Sequence, residues 1–409
     1  MRANAPSNVR TYGALYSGDF RLYMVGQLIS MSGTWMQTLA QGYLVFQITR
    51  SEAWLGIVAC AAGLPFLLLA PIGGVIVDQV PRRRLLLVTM LFQMGLAFIL
   101  AALTFAGVVQ VWHILVLAFL LGTSNALDMP ARQTFVIEVV GADQMHSGIA
   151  LNSVLNSASR ILGPMAAGIA LIRLGPAWCF FINGLSFVAA IAMLLLMHVP
   201  YAFHSERVSK PLEQLRQGLQ FARHHPMIAP LLLLSTISSV SLVPIMQIMP
   251  AYADTVLGSP DAGYAALSIA QGAGSVIAGV LAGWLAKRFG YGRLLVTCAF
   301  AVALCTALLT VQRTIPPAVA INVLWGAFMM LLYVCINIGI QVVVPNGYRS
   351  RIMALYTLTF MGIAPFSSLL LGFIASAIGT PGAMLLSAVL GASLSAFVFV
   401  RWSRVVTDI

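Results

Sequence analysis

Apolar residues run along this chain in long blocks separated by short polar stretches. The blocks fall at 20–48, 53–77, 85–107, 111–133, 148–172, 177–199, 227–253, 262–286, 294–312, 316–344, 352–376 and 379–400. A helix needs about 20 apolar residues to cross the hydrocarbon core of a bilayer. The pattern therefore predicts an all-α membrane protein with twelve transmembrane helices and both chain ends on one side. The longest polar stretch, Tyr201 to His225, reads as a loop rather than as a domain.

Composition agrees with this reading. Of the 409 residues, 60% are hydrophobic and 8% are charged, where a soluble domain carries about a quarter. Residues 1–19 are polar and the first apolar block is too long for a signal h-region, so no cleavable leader is expected. The formal net charge is +11, with 22 Lys and Arg. No basic face forms, because these residues lie between apolar blocks, and this excludes nucleic acid as a partner. They read instead as topology signals, since cytoplasmic loops gather Lys and Arg. With the N-terminus inside, 18 fall on the cytoplasmic side and only Arg50, Arg173 and Arg313 outside. Arg160 is left within a span. The expected location is the inner (cytoplasmic) membrane, multi-pass, with both termini cytoplasmic.

The five cysteines, Cys60, Cys179, Cys298, Cys305 and Cys335, lie in apolar blocks without metal-ligand spacing and read as packing residues. No Gly-rich nucleotide loop ending in Lys-Ser/Thr occurs. No metal, no cofactor and no enzymatic activity are expected, and the chain is taken as a monomer.

The chain also repeats. Gly74, Arg84, Leu85 and Leu86 after the second block align with Gly283, Arg293, Leu294 and Leu295 after the eighth, at a shift of 209 residues. Gly163, Pro164 and Gly168 in the fifth block echo Gly362, Pro365 and Gly372 in the eleventh. Two six-helix halves, 1–200 and 227–409, joined by a cytoplasmic linker at 201–226, account for both echoes. Parallel halves of this kind enclose a site at their interface near the membrane midplane.

From these motifs the chain resembles the major facilitator superfamily over nearly its whole length. The loop from Gly74 through Asp78 to Arg82-Arg83-Arg84 is similar to the superfamily signature between helices 2 and 3. Asp19-Phe20-Arg21-Leu22-Tyr23, Gly33-Thr34-Trp35-Met36-Gln37, the stretch Asp128 to Gln133, and Arg160 to Pro164 resemble the branch of transmembrane secretion effectors that includes the enterobactin exporter. The resemblance implies two pseudo-symmetric six-helix bundles around a central cavity among spans 1, 4, 7 and 10. It also implies that Asp78 caps helix 11 and pairs with nearby Arg as a cytoplasmic latch, and that Gly163-Pro164 marks an exporter. One departure is Ala118, where many proton-coupled drug exporters carry Arg in helix 4.

Several residues carry candidate chemistry. Arg160 lies twelve residues into the fifth block, roughly 18 Å into a core of about 30 Å. A charge at that depth is paired or lines a wet cavity. Arg160 is thus either a counter-charge for an anionic substrate or structurally paired with an acid or with backbone carbonyls, Asp128 being the nearest acid by depth. Asp128 and Arg132, four apart, can share a helix face. They form an ion pair at the cytoplasmic mouth, or Asp128 is a proton-coupling carboxylate; Glu138 is an alternative partner for Arg132. Asp78, Arg82 and Arg84 are candidate gating residues, although Asp78 could simply offset the Arg cluster and the Arg residues could be topology anchors. Pro164 lacks an N–H and is expected to break the ladder of its helix. Gln37, Gln41, Asn125, Asn156, Trp325, Tyr333 and Asn337 are candidate substrate contacts, because buried amides and polar aromatics need partners.

The expected function is secondary active export of a small organic molecule, siderophore-like or drug-like, by alternating access and coupled to protons. Two rivals stand beside it: an importer of the same fold, and a non-transporting membrane sensor or assembly partner.

Overall fold

The computed structural model describes residues 13–141, 144–198, 211–345 and 348–402. Twelve long helical rods run side by side, and no strand occurs among the described residues. The first six are α1 (Gly18–Thr49), α2 (Glu52–Gln79), α3 (Arg82–Phe105), α4 (Val111–Val140), α5 (Met145–Leu174) and α6 (Pro176–Leu196). A linker helix, α7 (Pro211–His224), follows. The seventh rod is α8 (Ile228–Ile237), a π-helical turn (Ser238–Leu242) and α9 (Ile245–Thr255). Then come α10 (Pro260–Phe289), α11 (Tyr291–Val311) and α12 (Ile315–Val343). The eleventh rod is α13 (Arg349–Thr357), a second π-helical turn (Leu358–Gly362) and α14 (Ala364–Ile378), and α15 (Thr380–Arg401) is the last.

Eleven of these stretches are long and apolar enough to cross a membrane. The twelfth, α1, is the longest helix at 32 residues but is diluted by polar side chains. Several of them point inward: Gln27, Ser30 and Gln37 are each under 5% exposed. The helix is less apolar because it contributes to the interior rather than to the lipid boundary.

Four expectations change in the structure. The linker, read as a loop, carries α7, whose Phe221 stacks on Tyr348 at 4.1 Å between ring centroids. Helix α4 runs on to Val140 rather than ending near 133, and Glu138 in its last turns pairs with Arg82 of α3. Pro164 does not break α5, which continues through it to Leu174. Neighbouring helices re-satisfy a backbone loosened by proline inside a membrane bundle. The irregular turns lie instead in the seventh and eleventh rods, where a π-turn precedes Pro244 and Pro365 by a few residues. Ser239 Oγ donates to the Phe360 carbonyl at 2.8 Å and ties the two π-turns together.

Glycines with positive φ close the tightest corners. Gly175 (φ 84°) joins α5 to α6, and Gly290 (φ 81°) joins α10 to α11. Side chains other than glycine rarely adopt that conformation.

Helices of the first six pack on one another: α1 on α5 and α6, α2 on α4, and α3 on α4 and α6. In the second six, α10 and α11 pack on α12, and α11 and α14 pack on α15. Two seams join the sets, α2 with α14 and α5 with α10. The repeat that aligns the end of α2 with the end of α10 also aligns α5 with α14, so the seams are images of each other. Small residues set both. A Cβ on Gly56 would lie 2.5 Å from the Ser368 carbonyl oxygen, and one on Gly372 would lie 2.6 Å from that of Glu52. A Cβ on Gly168 would fall 2.7 Å from Ile269, and one on Gly272 would fall 2.9 Å from Met165. Such close approach is how membrane helices gain packing without a hydrophobic drive between them.

The seams concentrate at one face. The near face is the one where α1 begins and α15 ends; the far face is opposite. Gly56, Gly168, Ala265 and Gly372 all sit in the far halves of their helices. Among the described residues, every hydrogen bond and ion pair between the two sets also lies toward the far face.

Overpacking a tight seam costs about 1–3 kcal/mol. Gly56→Leu is expected to lower the thermal unfolding midpoint in detergent. Gly95→Leu on α3, where an added Cβ meets nothing within 4 Å, is expected to leave it unchanged. Equal midpoints for the two variants would contradict this account of the seam.

Candidate functional site

The middle of the molecule holds one conspicuous cation. Arg160 is the sixteenth residue of the 30-residue α5, midway along a membrane-length helix, yet its side chain is exposed. Its guanidinium carbon sits 5.5 Å from the centroid of the Trp35 ring on α1. Three ion pairs occur among the described residues, Arg50–Asp254, Arg82–Glu138 and Arg132–Asp128, and Arg160 is in none of them. The stretched pair with Asp128 does not form, because Asp128 is taken by Arg132.

The Arg160 charge also acts on two phenols of the second set, Tyr333 on α12 and Tyr356 on α13. Tyr333 meets Phe360 edge-to-face at 4.6 Å, and Tyr356 stacks on Phe360 at 6.2 Å. Asn337 Oδ1 accepts from Gln341 Nε2 at 2.6 Å. Local sequence builds this cluster simply. Tyr333 and Asn337 are four apart on α12, and Tyr356 and Phe360 are four apart on the eleventh rod, so each pair shares a helix face. The described geometry is a guanidinium over the Trp35 ring, with Tyr333, Tyr356 and Phe360 clustered in the second set. A guanidinium over an indole gains about 0.5–2 kcal/mol.

The other expected contacts are distributed differently. Gln37 is buried and accepts from Asn183 Nδ2 of α6 at 2.7 Å. Asn125 and its neighbour Ser124 accept from Gln93 Nε2 of α3 at 3.3 and 3.1 Å. Asn156 donates to the Asn152 carbonyl of its own helix at 2.9 Å. Trp325 is wholly enclosed, and its indole N–H donates to Thr306 Oγ1 of α11 at 3.0 Å, which makes it a packing residue between α11 and α12. Gln41 is half-buried on α1. Buried amides need partners, and most found them within their own set. Trp35, Tyr356 and Phe360 were not singled out from the sequence. The signal available for them was aromatic spacing beside a lone intramembrane arginine.

The gating candidates form a separate network at the near face. Arg132 Nε donates to Asp128 Oδ2, and Thr89 Oγ1 of α3 donates to Asp128 Oδ1 at 2.8 Å. The Asp128 and Arg132 side chains are 5% and 13% exposed, so water screens this pair little. Glu138, an alternative partner for Arg132, pairs with Arg82 instead. Arg83 Nη2 donates to the Leu194 and Leu195 carbonyls at 2.9 and 3.0 Å and caps the end of α6. Arg84 is exposed. Gly163 lies close against α1, where a Cβ would meet the Ser32 carbonyl oxygen at 2.7 Å, and Pro164 is buried beside it. The side chain of Asp78, with its expected latch, lies outside the described residues.

The sequence profile of a family described as transmembrane secretion effectors matches residues 9–407. The chain belongs to this family of the major facilitator superfamily. Among its relatives, the multidrug efflux pump Tap of Mycolicibacterium fortuitum is 25% identical over 88% of this chain and 90% of its own length. The staphyloferrin A transporter of Staphylococcus aureus is 24% identical, over 45% of this chain and 44% of that protein, so the match spans less than half its length. The crystal structure of the nucleoside transporter NupG superposes with a TM-score of 0.75, at 13% identity, over 95% of this chain and 99% of that one. At that identity the likeness concerns the fold. This family member is thus a multi-pass, helical major facilitator protein, as its hydrophobic blocks indicated.

Removing one partner of a buried pair costs about 3–5 kcal/mol, because the other charge is left without compensation. Asp128→Ala is expected to lower the thermal midpoint more than Asp128→Ala combined with Arg132→Ala. A double variant less stable than the single one would show that the pair is not a closed unit.

Proposed function

We propose that this chain is a secondary active exporter that carries a small anionic organic molecule across the inner membrane by alternating access. The two moving bodies are residues 1–200 and 227–409, joined by the linker 201–226. By the positive-inside bias the near face is cytoplasmic, so the far face is external and the state described is closed to the outside. Substrate would enter from the cytoplasm and meet Arg160, Trp35, Tyr333, Asn337, Tyr356 and Phe360 at mid-depth. Release would follow once the far-face seams part.

The observation that carries this reading is Arg160, an exposed guanidinium at the middle of a membrane-length helix and without an acid partner among the described residues. Its aromatic surroundings, drawn from both bodies, suit a substrate that joins an acidic group to a flat apolar part. Outward direction is supported by the Gly163-Pro164 element and by relatives that include a multidrug efflux pump and a staphyloferrin A transporter. The proton gradient is the proposed energy source. Asp128 is the proposed proton site in this reading, since protonation there would free Arg132 from its pair. Asp78 is proposed as the cytoplasmic latch of the opposite state, with Arg82 and Arg84, which follow it in sequence, as its partners there.

The test is transport by purified protein in proteoliposomes under an imposed pH gradient. A metal-free siderophore bearing carboxylates or catecholates is compared with a cationic dye. An interaction with a charged group contributes about 1.5–3 kcal/mol. Arg160→Gln is therefore expected to slow anion transport by roughly tenfold or more, with Arg160→Lys intermediate. Anion transport by Arg160→Gln at the unaltered rate, or transport confined to the cation, would overturn the anionic reading.

A further inference from the structure

The far face is closed by more than glycine seams. One stripe of α1 carries Leu39, Tyr43, Gln47 and Arg50, spaced four, four and three residues apart, and all four touch the second set. The Leu39 carbonyl accepts from Tyr264 OH of α10 at 3.2 Å. Tyr43 stacks on Tyr264 at 6.0 Å with the rings 9° from parallel, and its hydroxyl donates to Asp261 Oδ1 in the first turn of α10. Gln47 Nε2 donates to the same carboxylate oxygen at 3.3 Å. Arg50 pairs with Asp254 of α9 at 2.5 Å. Beside this stripe, Thr380 of α15 donates to Glu52 Oε1 at 2.9 Å.

A second observation singles out the end of the stripe. Arg50 is the one non-glycine residue with positive φ among the described residues, at φ 49° and ψ 33°. Such a conformation costs of order 1 kcal/mol or more and persists where surroundings hold it. Here it swings the chain from α1 into α2 while its side chain is held on Asp254.

We infer that Tyr43, Gln47 and Asp261 form a lock on the external face, and that its strength sets the balance between the inward-open and outward-open states. The inference rests on the alternating-access reading above. The lock has a strong and a weak part. The Arg50 side chain is 59% exposed, so its ion pair is screened by water and contributes little. The Tyr43–Asp261 contact is partly buried and places a carboxylate against two donors, and hydrogen bonds to a charged group are the stronger kind. Every one of these contacts joins the two bodies, so all must be given up before the external face opens.

The test is a distance measurement between spin labels at Val108→Cys and Val311→Cys. Both positions are exposed, at 56% and 65%, and lie at the far ends of opposite bodies. The measurement uses the full chain in lipid nanodiscs with the five native cysteines replaced. The unaltered lock should give mainly the short distance. Asp261→Ala and Tyr43→Phe should each raise the long-distance population by about tenfold or more, and combining them should add little. Asp254→Ala should raise it by less than about fivefold. Tyr43→Phe keeps the ring stack and guards against simple misfolding of the Asp261 variant. If both variants kept the unaltered distribution while Gly168→Leu lengthened the distance, the lock would be wrong and alternating access would stand. If no variant ever separated the labels, the two-body reading would fall with it.

Discussion

A guanidinium midway along a membrane-length helix cannot rest in hydrocarbon; it must find an acid, backbone carbonyls or water. Arg160 has no carboxylate partner among the described residues and is exposed. The indole of Trp35 lies against it without neutralising the charge. In the proposed reading, an anionic substrate would supply the compensation.

Among the described residues, the polar contacts between the two sets lie toward one face, and the tight glycine approaches run from there to mid-depth. Glycines at 56, 168, 272 and 372 let backbones come within van der Waals contact along two equivalent seams. The equivalence follows from the repeat, since the helix pair α2 and α14 maps onto α10 and α5. The polar stripe of α1 adds directional contacts to this sterically defined closure. Packing fixes where the bodies touch, and hydrogen bonds to Asp261 fix how firmly.

The acids divide the labour with little redundancy. Asp128 and Glu138 hold Arg132 and Arg82 within the first set, on the near side. Asp254, Asp261 and Glu52 hold contacts between the sets, on the far side. Among the described residues none of these acids pairs with Arg160.

The sequence by itself determined the architecture. Hydrocarbon forces every spanning backbone to satisfy its own hydrogen bonds, so block length alone gives helix number and approximate ends. The 209-residue echo gave the repeat, and the depth of Arg160 marked the central cation. Partner choice was decided only by the tertiary structure. Spacing allowed Arg132 to pair with Asp128 or Glu138, and Arg160 to meet an acid, backbone carbonyls or an anionic substrate. Gln37, Asn125 and Trp325 are polar or aromatic at plausible depths, yet each is consumed by a neighbour in its own set. Trp35 lies against Arg160 because α1 packs on α5, and Phe360 meets Tyr333 because the eleventh rod lies beside α12. Periodicity along one helix reports which face is apolar. It does not report which neighbour that face meets, and a charge or an amide in a low-dielectric interior takes its role from that neighbour.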